Sequence, residues 1–263
     1  MADTIDLKNR VAIITGGSQG LGFEMAAGLA RSNGRVCIAS PDRAGLDRSL
    51  AAIGKERCLA VQADITKKDD CKRIFEETLS RFGDVAILVN NARRNIDQAH
   101  APIWEADIDF WGSAVMVNVF GTFQMTRTVV PHLMKRKWGR IVNITTSLDT
   151  IQRERNAPYG VTKAAVEAET IIWSKELTGS GVTVNSLIPG GACDIRGGRT
   201  RPSGSSKPLL PPDVMVSAMI WLASDLSDGV NGGRFVGMFW DDNLPPTKAA
   251  EKAREPSIFR PED

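Results

Sequence analysis

No stretch constrains this chain more than Thr15-Gly16-Gly17-Ser18-Gln19-Gly20-Leu21-Gly22. It follows the apolar run Val11 to Thr15 and precedes a stretch of helical character from residue 20 to 33. A short, β-branched apolar run reads as a strand buried on both faces. The glycines let the chain reverse tightly between strand and helix and let a ligand approach the backbone closely. The helix N-terminus then presents free N–H groups and the positive end of its dipole to an anion such as a pyrophosphate. With the spacing G-x-x-x-G-x-G, Gly16, Ser18, Gln19, Gly20, Leu21 and Gly22 are expected to cradle a nucleotide. A glycine turn needed only for packing is the alternative.

The strand-then-helix pattern recurs along the chain. Val36 to Ser40, Cys58 to Val61, Val85 to Asn90, Arg140 to Thr145, Val182 to Ile188 and Arg234 to Met238 read as further strands. Helical stretches lie near 43–53, 68–81, 109–137, 158–179 and 212–224. Such alternation predicts an α/β fold, a Rossmann-type doubly wound parallel sheet of about seven strands with helices on both faces. No linker or repeat interrupts it, so residues 1–240 are expected to form a single nucleotide-binding catalytic domain. Residues 241–263, with Pro245-Pro246 and mixed charge, are expected to form a surface arm or an oligomer contact.

Composition removes several function classes. A net charge of +2 gives no electrostatic footprint for nucleic acid, so none is expected as a partner. No run approaches the roughly eighteen apolar residues of a membrane span, and the first residues lack an apolar signal core. Cys37, Cys58, Cys71 and Cys193 form no C-x-x-C pair, and reduced thiols in a cytoplasmic protein are expected. With two histidines and no G-x-S-x-G, neither a histidine metal site nor a Ser-His-Asp hydrolase is expected.

Chemistry concentrates at Tyr159, the sole tyrosine, and Lys163. On a helix i and i+4 share a face, so phenol and ammonium can point into one space. A nearby cation favours the phenolate, which suits proton transfer. Thr146 and Ser147 end the fifth strand, at the sheet edge where open α/β sheets bind ligands. Asn118, in an otherwise apolar helix, needs partners for its amide, as a structural hydrogen-bonder or a holder of ordered water. At the end of the second strand an acid would favour a ribose 2′-hydroxyl. Ser40 with Arg43 is instead compatible with a 2′-phosphate, and NADP is therefore expected, with NAD as the alternative because Asp42 could face the ribose. Pro189-Gly190-Gly191-Ala192 lets the backbone pass close to a bound ring.

Together these residues resemble the short-chain dehydrogenase/reductase family from about Asn9 to Met238. The ordered set is T-G-x-x-x-G-x-G at 15–22, Asp64, N-N-A at 90–92, Asn118, the hydroxyls at 146–147, Y-x-x-x-K at 159–163, and Pro189-Gly190. The resemblance implies a hydride transfer between NAD(P)(H) and a small carbonyl or alcohol substrate. It makes Tyr159 the general acid/base, and Lys163 the group that lowers its pKa and holds the nicotinamide ribose. A strand-end serine orients the substrate, and Asn118 supports a water-linked proton relay. It further places Asp64 and Ile65 at the adenine, Asn91 near its ribose and Ala92 beside the cofactor, and it implies a homodimer or homotetramer. A catalytically silent nucleotide-binding sensor or assembly protein on the same fold is the rival reading.

The chain also departs from the family pattern. Arg93 stands where glycine usually follows N-N-A. Spacing from Tyr159 lands on Thr146, while residue type favours Ser147, which is taken as the expected donor. The family's substrate lid falls near 194–212, and Cys193-Asp194-Ile195 replaces the usual threonine region. Arg93, Arg94, Arg153, Arg199, Arg201 and Lys207 are read as solvated loop charges, with an acidic substrate as the alternative.

Overall fold

Helices cover both faces of the central sheet, which explains why its strands are apolar at consecutive positions. In β1 (Val11–Thr15) the neighbours Ile13 and Ile14 point to opposite faces, as alternation requires, and both are fully buried. The computed structural model describes residues 5–94, 101–195 and 208–259. From β1 the chain runs through α1 (Gly20–Arg31), β2 (Arg35–Ser40), α2 (Arg43–Ile53), β3 (Cys58–Gln62), α3 (Lys68–Phe82) and β4 (Ile87–Asn90). The second half holds α4 (Ile108–Val115), a π-helical turn (Met116–Phe120), α5 (Gly121–Arg136), β5 (Gly139–Ile144), α6 (Leu148–Ile151), α7 (Tyr159–Glu176) and β6 (Val182–Ile188). It closes with α8 (Val216–Leu222), β7 (Arg234–Val236), α9 (Pro246–Ala253) and β8 (Arg254–Glu255).

The sheet order is β3-β2-β1-β4-β5-β6-β7-β8, with β1 to β7 parallel and β8 antiparallel to β7. The expected Rossmann-type sheet is present, with eight strands rather than about seven. The extra strand has only two residues, Arg254 and Glu255, and no apolar pattern to announce it. Strand order reverses between β1 and β4, so the carboxyl ends of those two strands open a crevice. One face packs Ile14, Ile38 and Val142 against Met25 and Leu29 of α1 and Met219 of α8. The other packs Ile13, Leu88 and Ile141 against Ile74 of α3 and Met125 and Val129 of α5.

Three local features differ from the sequence expectation. The helix expected at 109–137 is interrupted by the π turn at Met116–Phe120, which carries Asn118. Within the stretch expected as a surface arm or an oligomer contact, residues 246–255 form regular structure: α9 buries Ala249, Ala250 and Ala253, and β8 pairs with β7. Helix α8 starts at Val216, four residues later than the sequence suggests. Of the expected lid, 196–207 lies outside the described residues. Its two ends are joined by a parallel bridge between Cys193 and Leu210, with Leu210 N donating to Ala192 O at 2.8 Å.

Candidate active site

Packing against β4 sets the glycine turn. Thr15 Oγ1 accepts from the backbone N–H groups of Asn91 (3.0 Å) and Ala92 (3.1 Å). The Asn91 amide donates to the carbonyls of Thr15 and Gly16 at 2.9 and 3.1 Å. Gly16 has φ +69°, and a Cβ there would lie 2.9 Å from Ala92 Cα. A Cβ on Gly22 would lie 2.4 Å from both Gly16 O and Asn91 Nδ2. These glycines are therefore required by the turn itself. Helix α1 has no side-chain cap and no acid in its first turn, so its leading N–H groups are left to an anion. The turn fits a phosphate-bearing ligand. Asn91 spends its amide on the turn rather than pointing to a ribose. Ile195 packs over Gly20, where a Cβ would come within 3.0 Å of the Ile195 Cβ.

At the far end of the crevice Ser18 Oγ donates to Ser40 Oγ at 3.0 Å, and Asp42 N donates to the same oxygen at 3.2 Å. The Asp42 carboxylate caps α2, accepting from Gly45 N at 3.0 Å. Arg43 is exposed and paired with Asp47 at 2.7 Å. Asp64 accepts from Thr66 N and Thr66 Oγ1 through one oxygen, at 2.9 and 2.8 Å. The Ile65 side chain is buried beneath Gly121, so any contact to a ligand would come from its backbone.

The Tyr159–Lys163 pair lies where α7 begins. Lys163 is buried, its Nζ donates to Ile144 O at 2.5 Å, and it stands 5.9 Å from the Tyr159 ring centroid. Lys163 is lowered to about 7, chiefly by burial, with the Arg93 charge adding to the fall and Glu167 opposing both. Burial raises the Tyr159 phenol above its ordinary value, while the nearby Arg93 guanidinium and Thr146 hydroxyl pull it back. Thr146 is thus the strand-end hydroxyl that meets the phenol. Ser147, expected as the donor, turns to Thr150, with Oγ to Oγ1 at 2.9 Å, where α6 begins. Strand β5 has ended at Ile144, and Ser147 is already the N-cap residue of α6, so its side chain lies against the first turn of that helix.

Asn118 is buried in the π turn. It accepts from Arg94 N at 2.8 Å and donates to Thr162 Oγ1 at 2.9 Å, which ties the loop after β4 to α7. π turns occur frequently at functional sites. Pro189 and Gly190 border the crevice, with Gly190 at φ +95° and a Cβ there excluded by Met238 Sδ at 2.6 Å. Gly191 and Ala192 follow, and Cys193 is near enough to Tyr159 to act on its charge.

Behind the site is an ionic network that the sequence reading missed. Glu167, buried on α7 four residues after Lys163, accepts from Thr145 Oγ1 (2.5 Å), Ser186 Oγ (3.1 Å) and Arg234 Nε (3.1 Å). Arg234 also donates to Thr146 O at 3.0 Å and pairs with Glu255 of β8. The spacing Tyr159, Lys163, Glu167 was a legible signal, since all three share one helical face. Arg234 in an apolar last strand was the other.

A model of the short chain dehydrogenase family matches residues 10–194. An uncharacterized oxidoreductase of Staphylococcus saprophyticus is 30% identical over 86% of this chain and 97% of its own length. A 3-oxoacyl-[acyl-carrier-protein] reductase of Staphylococcus epidermidis is 32% identical over 69% of this chain and 75% of its own. The crystal structure of 3-ketoacyl-(acyl-carrier-protein) reductase from Brucella melitensis complexed with NADH superposes with a TM-score of 0.78 at 30% identity, covering 87% of this chain and 96% of that one. Among the described residues no helix is long and apolar enough to cross a membrane. With a family model over residues 10–194 and a relative 30% identical over 86% of this chain, the chain belongs to the short chain dehydrogenase family.

Proposed function

We propose that this protein is an NAD(P)(H)-dependent oxidoreductase that interconverts a small carbonyl compound and its alcohol by Tyr159–Lys163 acid/base catalysis. The observation that carries the reading is the convergence of Thr146, Tyr159 and Lys163 at the carboxyl end of β5, next to the crevice opened between β1 and β4. The cofactor, when bound, supplies or accepts the hydride. In the reductive direction Tyr159 gives its hydroxyl proton to the substrate oxygen as the carbonyl carbon gains the hydride. Thr146 donates a hydrogen bond to the same oxygen and holds it in line with the phenol. Lys163 stabilises the phenolate that remains, and Asn118 keeps α7 and the loop after β4 in register. Both the oxygen and the nitrogen of its amide take part in that bracing.

The glycine turn and the open N-terminus of α1 would hold the cofactor's pyrophosphate. Ser18, Ser40 and Arg43 would hold a 2′-phosphate, and Asp42 is turned into the α2 cap, which supports NADP over NAD. Arg43 would exchange Asp47 for the phosphate, an exposed pair of little strength. A cytoplasmic homodimer or homotetramer remains part of the proposal. The test is Tyr159→Phe, assayed for NADPH oxidation on a panel of ketones and aldehydes and for NADPH binding. General acid/base groups contribute about 10²–10⁴-fold, so turnover should fall by that factor with affinity for NADPH within a few-fold of the parent. Near-parental turnover in Tyr159→Phe, or binding by the parent without turnover on any substrate, would defeat the reading.

A further inference from the structure

Arg93 occupies a position that no acid/base role explains. Its guanidinium carbon stands 6.0 Å from the centroid of the Tyr159 ring, and the residue is partly buried. Its one hydrogen bond among the described residues is a weak one, to the adjacent Arg94 carbonyl at 3.4 Å. No carboxylate of a described residue pairs with it. The nearest catalytic cation, Lys163, is fully enclosed, and the buried acid beside it, Glu167, is already engaged by Arg234. Among the described residues, the cleft thus holds two basic groups facing Tyr159 and no carboxylate paired with Arg93. A guanidinium cannot shed its proton, so its charge persists at all working pH values. Held against a buried lysine it is unfavourable in the free protein, and an entering anion relieves that repulsion.

Distance limits which anion this is. A forked guanidinium–carboxylate pair needs N to O separations of about 2.7–2.9 Å, and the phenol must reach the reacting oxygen at about 2.6–3.2 Å. With Arg93 and the Tyr159 ring so close, only a short connection fits between the acid group and the carbonyl. The phosphates of a cofactor have their own cradle at the glycine turn.

We infer that Arg93 is a subsite for a carboxylate of the substrate, which makes the substrate a small 2-oxo or 3-oxo acid or the corresponding hydroxy acid. This rests on the hydride-transfer reading of the site. Arg93 grips the acid group, the carbonyl is directed at Tyr159 and Thr146, and the neutral ester of the same compound loses the anchor.

The experiment compares the parent and Arg93→Met on two matched pairs, pyruvate with methyl pyruvate and 3-oxobutanoate with methyl 3-oxobutanoate, at saturating NADPH. The parent should favour an acid over its ester by about ten-fold or more in kcat/KM, as loss of a charged hydrogen-bonded pair implies. In Arg93→Met that ratio should fall to near one. The ratio cancels any general effect of Arg93 on Tyr159, which acts on acid and ester alike. Calorimetric titration of propanoate into the NADPH-loaded protein should show about a ten-fold weaker Kd in the variant. Equal handling of acid and ester by the parent, or an unchanged ratio in the variant, overturns the inference. So does a ten-fold loss of NADPH affinity in the variant with the ratio intact, which would assign Arg93 to a cofactor phosphate. Turnover of neutral ketones and esters alone would overturn the carboxylate subsite and leave the oxidoreductase standing. Absence of both NADPH binding and turnover would strike the oxidoreductase itself.

Discussion

Thr146→Val tests the sharpest difference between Thr146 and its neighbour. Valine keeps the shape and the β-branch of threonine, so the packing of a residue only 9% exposed is preserved and the hydroxyl alone is lost. That hydroxyl meets the Tyr159 phenol and, in the proposed reaction, the substrate oxygen. Water has little access to replace it. The backbone cannot shift to bring Ser147 round without breaking the 3.0 Å bond from Arg234 Nη2 to Thr146 O. Losing one preorganised donor to a developing oxyanion costs about 10²–10³-fold, or about 2.7–4 kcal/mol of transition-state stabilisation. Ser147→Ala loses only a side-chain bond to Thr150 and should change kcat/KM no more than about three-fold, in keeping with a neutral bond of about 0.5–1.5 kcal/mol that the reaction does not use. The assay is kcat/KM at saturating cofactor for both variants, with Thr146→Ser added to show recovery. A hundred-fold loss in Ser147→Ala beside a mild Thr146→Val would refute the assignment, and mild losses in both would remove the strand-end hydroxyl from the mechanism.

NADPH should bind more tightly than NADH, and Arg43→Ala should erase one to two decades of that difference, the worth of a charge-assisted hydrogen bond at about 1.5–3 kcal/mol; equal affinities in the parent would give the ribose to Asp42. Arg234→Met removes the cation hydrogen-bonded to buried Glu167 and should cost about 3–5 kcal/mol in urea unfolding, whereas a change under about 1 kcal/mol would show that the network is slack. Lys163 falls from 10.5 free to about 7 folded, so the unfolded chain holds the extra proton between those values and the burden on stability is full below pH 7 and lifts as pH rises to 10.5. Lys163→Met should therefore gain stability relative to the parent at pH 6 and lose that gain toward pH 10.5; a pH-independent difference would mean that Lys163 titrates normally. Because Tyr159 is the sole tyrosine, phenolate absorbance reports it alone, and both Arg93→Met and Thr146→Val should move its titration upward. A downward move in either would contradict the electrostatics of the site.

Local pattern carried much of this protein in the sequence. The alternation of apolar runs with helical stretches determined the doubly wound sheet, because strands covered on both faces have no polar alternation. The glycine turn was legible for a similar reason, since strand, reversal and helix N-terminus are contiguous in the chain. Tyr159 and Lys163 could be paired because four residues on a helix fix a shared face without reference to anything else. Other features needed the folded chain. The choice between Thr146 and Ser147 depends on how β5 ends and on an arginine 88 residues away that holds the Thr146 carbonyl. The pairing of Glu167 with Arg234 spans 67 residues, and the two-residue β8 exists because Glu255 meets that same guanidinium at the sheet edge. The place of Arg93 beside the phenol follows from the loop after β4 meeting the start of α7. Contacts between distant segments have no period along the chain, so only the tertiary structure could decide them.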